Sequence, residues 1–179
     1  MSTKNKLNKE IIIPENVGIE VEGSMIKVKG PAGENEKRLA HPKIDILKQG
    51  NKIIISSKRQ TKNEKRLINT FRAHLSSLIR GIINPYVYKL KICSGHFPMN
   101  VSISNDKIII KNFFAEKIPR TAKILPKVEA KIQGDEIIIK SVDKEAAGQT
   151  ASNIEQACRI TNRDRRIFMD GIYIVSKAE

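Results

Sequence analysis

The chain has few of the side chains that stack bases or form disulfides. Its 179 residues include no tryptophan, three tyrosines, five phenylalanines and two cysteines. Single-stranded RNA is commonly bound by stacking bases on aromatic rings, so this composition disfavours a broad aromatic platform. Cys93 and Cys158 do not form a CxxC pair, which disfavours a zinc site or a disulfide framework and favours a reducing compartment.

Signals for export and membrane insertion are also scarce. The first nine residues have no apolar core that could serve as a secretory signal. No apolar run approaches the roughly 20 residues that a membrane-spanning helix needs. The sequence therefore predicts a cytoplasmic protein with no membrane partner.

Patterns typical of catalysis are weak. The three histidines lack the spacing of metal ligands, and Asp106, Asp135 and Glu136 fall in predicted turns, where acids are common for local reasons. The segment Ser94-Gly95-His96 lacks the flanking glycines of a nucleophile elbow. We therefore predict no catalytic residues, no metal and no cofactor, and an RNA-processing enzyme is the disfavoured alternative.

Positive charge is what the chain has in excess. Thirty-three Lys and Arg against 19 Asp and Glu give a net charge of +14. Such an excess is typical of proteins that bind nucleic acid, and a solvated lysine-rich surface is the alternative interpretation. The 40% hydrophobic content, rich in isoleucine, predicts a folded chain with many strands.

An internal repeat organises the sequence. Ile13-Pro14-Glu15-Asn16-Val17 recurs 84 positions later as Phe97-Pro98-Met99-Asn100-Val101. Gln49-Gly50-Asn51 and Pro42-Lys43 recur at the same offset, as Gln133-Gly134-Asp135 and Pro126-Lys127. Three landmarks at one offset indicate a tandem duplication. We place the first copy at residues 1–84 and the second at residues 85–179.

Each copy is predicted to contain strands followed by one helix. Two-residue turns suited to antiparallel hairpins occur at Gly23-Ser24, Gly50-Asn51, Asn105-Asp106 and Gly134-Asp135. Apolar residues at helical spacing follow the last hairpin of each copy: Leu67, Phe71, Leu75, Leu78 and Ile82, then Ala147, Ala151, Ile154 and Cys158. The expected fold class is α+β, with two tandem copies of an antiparallel sheet and one packed helix. The second face of each sheet could be open or covered by the sister copy.

The two helices differ on their outer faces. The first carries a basic face formed by Lys62, Lys65, Arg66, Arg72 and Arg80. The second carries an uncharged polar face formed by Gln149, Ser152, Asn153 and Gln156. Either face could bind phosphates and sugars or simply be hydrated.

The strongest RNA-binding signal follows the second helix. Arg159, Arg163, Arg165 and Arg166 lie within eight residues, interrupted by the loop residues Asn162 and Asp164. Arginine forks match phosphate geometry, so this loop is predicted to contact structured RNA through its backbone. A second basic stretch, Lys117, Arg120, Lys123 and Lys127, is another candidate.

Four segments carry a family resemblance: residues 28–33, 88–101, 144–151 and 162–173. Together they resemble the family of large-subunit ribosomal protein number six, in its archaeal and eukaryotic branch, over nearly the whole chain. The last segment, Asn-Arg-Asp-Arg-Arg-x-Phe-x-Asp-Gly-Ile-Tyr, is the most specific. One position departs from the pattern, because Asn35 stands where members often carry an apolar residue.

The resemblance implies a structural constituent of the large ribosomal subunit that supports translation. It implies binding to large-subunit ribosomal RNA near the sarcin-ricin loop, with stalk-base ribosomal proteins as neighbours and translation factors nearby. It also implies that the second copy holds the RNA. The predicted contacts are Lys117, Arg120, Lys123, Lys144, Gln149, Asn153, Arg159, Asn162, Arg163, Arg165, Arg166 and Tyr173. A non-ribosomal binder of structured RNA is the alternative.

Overall fold

A computed structural model describes residues 7–164 and 166–178. The chain divides into two compact units, Met1–Pro85 and Tyr86–Glu179. Each unit combines antiparallel strands with one long helix, so the predicted α+β class is confirmed. The predicted RNA contact Arg165 lies outside the described residues.

The first unit has six strands and one helix among its described residues. They are β1 (Leu7–Ile12), β2 (Gly18–Glu22), β3 (Met25–Gly30), β4 (Gly33–Arg38), β5 (Ile44–Gln49), β6 (Lys52–Ser57) and α1 (Lys62–Ile83). The strands form two antiparallel sheets, in the orders β1-β6-β5 and β2-β3-β4.

The second unit repeats this arrangement and extends it. Its elements are β7 (Tyr86–Cys93), β8 (Asn100–Ser104), β9 (Lys107–Lys111), a 3₁₀ turn (Phe113–Ala115), β10 (Arg120–Lys123), β11 (Val128–Gln133), β12 (Glu136–Ser141), α2 (Lys144–Ala157) and β13 (Gly171–Ser176). The sheet orders are β11-β12-β7-β13 and β10-β9-β8. Each unit thus has two sheets where the sequence analysis expected one, because β1 and β7 pair with strands far along the chain.

The strands and turns follow local sequence signals. In β6, β9 and β12 the isoleucines alternate between the core and the other face, and Ile53, Ile108 and Ile137 are fully buried. All four predicted hairpin turns are confirmed. Each begins with a residue at positive φ, such as Gly50 at 58° and Asn105 at 51°, which is the backbone these turns require.

Helix α1 buries the predicted apolar stripe with one shift. Phe71, Leu75, Leu78 and Ile82 are buried as expected, whereas Leu67 is only half-buried and its neighbour Ile68 is fully buried. The buried face of α1 is therefore rotated slightly about the helix axis from the predicted stripe, toward Ile68. The five basic residues on the opposite face are all exposed. Asn84-Pro85 ends the helix, as the restricted backbone before proline predicts.

Helix α2 lies on the four-stranded sheet through small side chains. The predicted core residues Ala147, Ala151, Ile154 and Cys158 are all buried. Asp143 caps the helix by accepting a hydrogen bond from the Glu145 N–H at 2.9 Å. Burial raises the pKa of Cys158 to about 11, so this thiol is an unreactive packing residue.

Within the described residues, neither helix is long and apolar enough to cross a bilayer. The same part of the chain holds no group of three or more side chains placed to bind a metal ion.

Candidate nucleic-acid interface

A cluster of four phenylalanines underlies the basic surface of the second unit. Phe113 and Phe114 are 4.7 Å apart between ring centroids, Phe97 and Phe114 are 6.1 Å apart, and Phe114 and Phe168 are 5.8 Å apart. Phe114 lies in the 3₁₀ turn with φ at 49°, a left-handed conformation that a bulky residue rarely adopts. The composition alone did not indicate this cluster, which brings together rings from distant parts of the chain.

Arg163 lies on this cluster. Its guanidinium carbon is 5.0 Å from the centroid of Phe114 and 5.2 Å from that of Phe168. These cation–π contacts hold the side chain in one place while leaving the residue exposed. Because its donors are positioned before any ligand arrives, an anion that binds here orders less of the side chain.

Arg120 lies on the other side of the cluster and acts as an internal clamp. Its guanidinium is 4.2 Å from the Phe113 centroid and donates two hydrogen bonds to Glu116, at 2.6 and 2.8 Å. It also donates to the carbonyls of Ala157, at 2.9 Å, and Arg159, at 3.1 Å. Most of its donors are therefore used within the protein, and it fixes the backbone on which Arg159 is exposed.

Arg166 is a largely exposed arginine of this loop. Its side chain is 89% exposed and donates to Asp164 at 2.7 Å. This hydrogen bond lowers the pKa of Asp164. Surface ion pairs of this kind contribute little to stability, so Arg166 can exchange Asp164 for a phosphate at small cost. Asn162, with φ at 59°, turns the chain just before this pair.

The polar face of α2 is ordered by its own side chains. Gln149 donates to Asn153 at 2.9 Å, and Asn153 donates to the carbonyl of Lys123 at 3.2 Å. Lys123 and Gln149 are exposed. The helix thus presents Gln149 beside the basic strand β10, with Asn153 linking the two.

A histidine–aspartate pair at the far end of the loop was not predicted as part of the site. The buried Asp170 carboxylate accepts hydrogen bonds from the His96 backbone N–H at 2.8 Å and from His96 Nδ1 at 2.7 Å. The His96 ring lies 5.1 Å from that of Phe168. Burial raises the pKa of Asp170, but hydrogen bonds from His96 and Phe97 outweigh it and leave the pKa below its ordinary value. The pair fixes the loop to the end of β7.

Tyr173 lies next to this pair on β13. It is 41% exposed and is paired in register with Lys91 of β7. The ring borders an open groove of about 630 Å³. The groove is lined by Cys93, Gly95, His96, Ile167, Met169, Asp170 and Tyr173.

Several of the predicted RNA contacts in the second unit are therefore linked to one another. Asn153 donates to the Lys123 carbonyl, and Arg120 donates to the Arg159 carbonyl. The phenylalanine cluster connects Arg120 to Arg163. Lys144 lies at the other end of α2, about 20 Å from Arg159 by helix length, with its ammonium 5.5 Å from the Tyr86 ring centroid. Lys117 is exposed in the loop before β10, and no contact described here connects it to the cluster.

Comparison with known proteins gives one family. The model of the family described as Ribosomal protein L6 matches residues 13–84 and 97–171, one match in each unit. A relative from Methanococcus vannielii is 44% identical over 172 residues, covering 96% of this chain and 94% of the relative. One from Nanoarchaeum equitans is 45% identical over 177 residues, covering 94% of this chain and 92% of the relative.

A third relative, from Ignicoccus hospitalis, is 44% identical over 170 residues, covering 92% of this chain and 91% of the relative. All three are named large ribosomal subunit protein uL6. The family is one of ribosomal constituents and not of enzymes, so the prediction of a non-catalytic protein is confirmed. The chain belongs to the ribosomal protein L6 family.

Proposed function

We propose that the second unit of this protein holds large-subunit ribosomal RNA near the sarcin-ricin loop. As a member of its family, the chain is a structural constituent of the large ribosomal subunit in the cytoplasm. The observation that carries the proposal is the pre-positioned Arg163 on Phe114 and Phe168, flanked by exposed Arg159 and Arg166. We propose that ribosomal proteins of the stalk base are its neighbours and that translation factors dock nearby.

The electrostatics of this surface favour an RNA backbone. Arg163 has no carboxylate among its described contacts, and the charge of Asp164 is already countered by Arg166. Arginine donates paired hydrogen bonds to phosphate oxygens, and the energy of each contact depends on counterion release. The uncharged Gln149 beside Lys123 can donate to sugars or phosphates without the cost of desolvating an ion.

Structured RNA fits better than a single strand. Arg163 lies over both Phe114 and Phe168, so its guanidinium competes with bases for stacking on these rings. The exposed basic residues of the second unit instead form a cationic surface that can bind the phosphate backbone of a folded RNA. The first unit presents a different surface, the basic face of α1. Substitutions on that face serve as the control for substitutions in the arginine loop.

The test is the salt dependence of binding to transcribed large-subunit ribosomal RNA. The logarithm of affinity should fall linearly with the logarithm of salt concentration. The double variant Arg159→Ala/Arg166→Ala should flatten the slope by roughly one unit per lost phosphate contact. Arg163→Ala should flatten it too, whereas Arg163→Lys should keep the slope and lose affinity, because lysine retains the charge without the paired donors.

The control removes the same kind of charge from the first unit. The triple variant is Lys62→Ala, Lys65→Ala and Arg66→Ala. It should change the slope less than the double variant, although it removes more charge. Equal slopes for the wild type and the Arg159/Arg166 variant would remove this loop from the RNA interface. Sedimentation separates the alternative, since a free-standing RNA binder would stay off the large subunit at physiological salt.

A further inference from the structure

We propose that His96 is a pH-dependent contact to RNA, whose Nε2 donates a hydrogen bond to a backbone phosphate when both ring nitrogens carry a proton. This inference rests on the proposed function and deepens it, since the predicted RNA contacts include no histidine. It adds a contact next to the arginine loop and makes RNA binding depend on pH as well as on salt.

Asp170 holds the His96 ring in one orientation. Its fully buried carboxylate accepts hydrogen bonds from His96 Nδ1 at 2.7 Å and from the His96 backbone N–H at 2.8 Å. One ring nitrogen therefore faces the interior, and Nε2 lies on the opposite edge of the ring. A carboxylate bonded to Nδ1 determines which ring nitrogen carries the first proton, so Nε2 is the nitrogen that accepts the second.

The outer edge of the ring is open to a ligand. The His96 side chain is 44% exposed although its Nδ1 faces a buried carboxylate, so the exposed part of the ring lies on the Nε2 side. Among the described residues, the ring bonds to Asp170 and packs on Phe168, and neither contact uses Nε2. The ring lines the open groove of about 630 Å³, which has room for a phosphate group.

Phe168 links His96 to the arginine loop. The centroid of the His96 ring lies 5.1 Å from that of Phe168, and the guanidinium carbon of Arg163 lies 5.2 Å from the same Phe168 centroid. Two groups that carry N–H donors thus border one aromatic ring. An RNA backbone bound by Arg163 passes close to His96, and a protonated histidine, like arginine, forms strong charge-assisted bonds to phosphate.

The charges around His96 determine the sign of the pH dependence. Asp170 is the one acid among the described residues that line the groove, and a protonated ring counters its charge. Cys93 of β7 and Tyr173 of β13 also line the groove, and side chains of these types ordinarily lose a proton only at alkaline pH. Arg163, across Phe168, stays charged. Histidine gains its second proton between about pH 8 and pH 5, so RNA should bind more tightly as the pH falls.

Asparagine and glutamine separate the two nitrogens of the ring. In His96→Asn the amide nitrogen can take the place of Nδ1 and donate to Asp170, but nothing takes the place of Nε2. In His96→Gln the longer side chain reaches the position of Nε2 without any charge and gives up the bond to Asp170. His96→Asn should therefore keep the fold and lose the phosphate contact.

The experiment measures binding of the full-length protein to transcribed large-subunit ribosomal RNA at pH 6 and pH 8. The wild type should bind more tightly at pH 6. At that pH, His96→Asn should bind about 10- to 150-fold more weakly than the wild type, the range for one charge-assisted hydrogen bond. The salt slope of His96→Asn should also be flatter by roughly one unit. Both differences should be much smaller at pH 8.

The matched control removes a histidine from the first unit. His41 Nδ1 accepts a hydrogen bond from the Lys43 N–H at 3.3 Å, and His41→Gln should keep the pH dependence of the wild type. Circular dichroism at both pH values shows whether His96→Asn is folded. If it is not, the pH dependence of the wild type and of His41→Gln still tests the contact, because neither measurement needs the variant.

The outcomes distinguish this inference from the proposed function. If the wild type binds the RNA equally well at pH 6 and pH 8, or if His96→Asn keeps the pH dependence, the contact through Nε2 is refuted and the proposed function stands. A loss of affinity in His96→Asn that is equal at both pH values would also refute it, since that is the effect of a purely structural role. If the wild type binds the RNA at neither pH, the proposed function fails, and the inference with it.

Discussion

Replacing Asp170 by asparagine should strongly destabilise the second unit. The buried carboxylate accepts hydrogen bonds from the backbone N–H and from Nδ1 of His96, and the N–H of Phe97 adds a third. An amide has only one oxygen, so its NH₂ group would face a donor. Losing one charge-assisted hydrogen bond and placing the amide NH₂ against an N–H donor costs about 3 kcal/mol.

That cost is large enough to measure clearly. A loss of 1 kcal/mol lowers the melting temperature of a domain of this size by roughly 4–8 °C, so Asp170→Asn should lower that of the second unit by more than about 10 °C. The assay is urea and thermal unfolding of the whole chain by circular dichroism. His96→Ala is the matched control and should cost less, because it removes only the side-chain bond and leaves both backbone donors paired.

The pH dependence supplies an independent check. The pKa of Asp170 lies below its ordinary value of 3.8 in the folded protein, because the bonds from His96 and Phe97 outweigh the effect of burial. A depressed folded pKa adds stability above the unfolded pKa and loses it as pH falls through the folded value. The difference between wild type and Asp170→Asn should therefore be constant near neutral pH and shrink below about pH 4. A difference under about 0.5 kcal/mol at pH 7 would refute the reasoning.

Three further substitutions or reactions test the packing. Asn35 is 5% exposed; its Oδ1 accepts a hydrogen bond from the Glu36 N–H at 2.9 Å, whereas its Nδ2 has no partner among the described residues. Asn35→Val should raise the urea midpoint, because removing the buried unpaired donor gains about 1–3 kcal/mol and losing the bond from Glu36 costs about 0.5–1.5 kcal/mol. Gly30→Ala should lower the free energy of unfolding by about 1–3 kcal/mol, because the added Cβ would collide with Ile82 Cγ2 of α1. A thiol reagent should modify the half-buried Cys93 in the native protein but leave the buried Cys158 unmodified until unfolding.

Each of these has a direct control. Gly95→Ala adds the same methyl where nothing lies within 4 Å and should leave the midpoint nearly unchanged. Asn35→Asp retains the size of the side chain and should fail to stabilise, since it buries a charge. Equal rates of Cys93 and Cys158 modification in native protein would contradict the packing described for α2.

Local features of the fold could be predicted because they are encoded within a few residues. The turns at Gly50 and Gly134 and the buried stripe of α2 depend on short-range backbone preferences and on 3.6-residue spacing. The division of each unit into two sheets depends on long-range pairing, such as Leu7 with Ser57. Alternation predicts a strand but not its partner, so this division could not be derived.

The site was predictable in composition but not in geometry. Clustered arginines indicated the loop, yet the sequence did not separate Arg120, which clamps the backbone, from exposed Arg166. His96 and Asp170 are 74 positions apart, and Asp170-Gly171 reads as an ordinary turn. Glu64 is also buried, with its Oε1 3.6 Å from Lys43 Nζ. Its position in a basic stretch of sequence gave no indication of this burial.

The difference between the two helices explains how one duplicated frame acquired two surfaces. Helix α1 has 22 residues and α2 has 14, and helical geometry spreads consecutive side chains about 100° apart around the axis. Four arginines continued in a helix would therefore point in different directions. Ending α2 at Ala157 releases the following residues into a loop, where Asp164, Phe114 and Phe168 can fix individual side chains. Strand β13 then returns the chain to β7, so the proposed contacts of the arginine loop arise where the second copy departs in structure from the first.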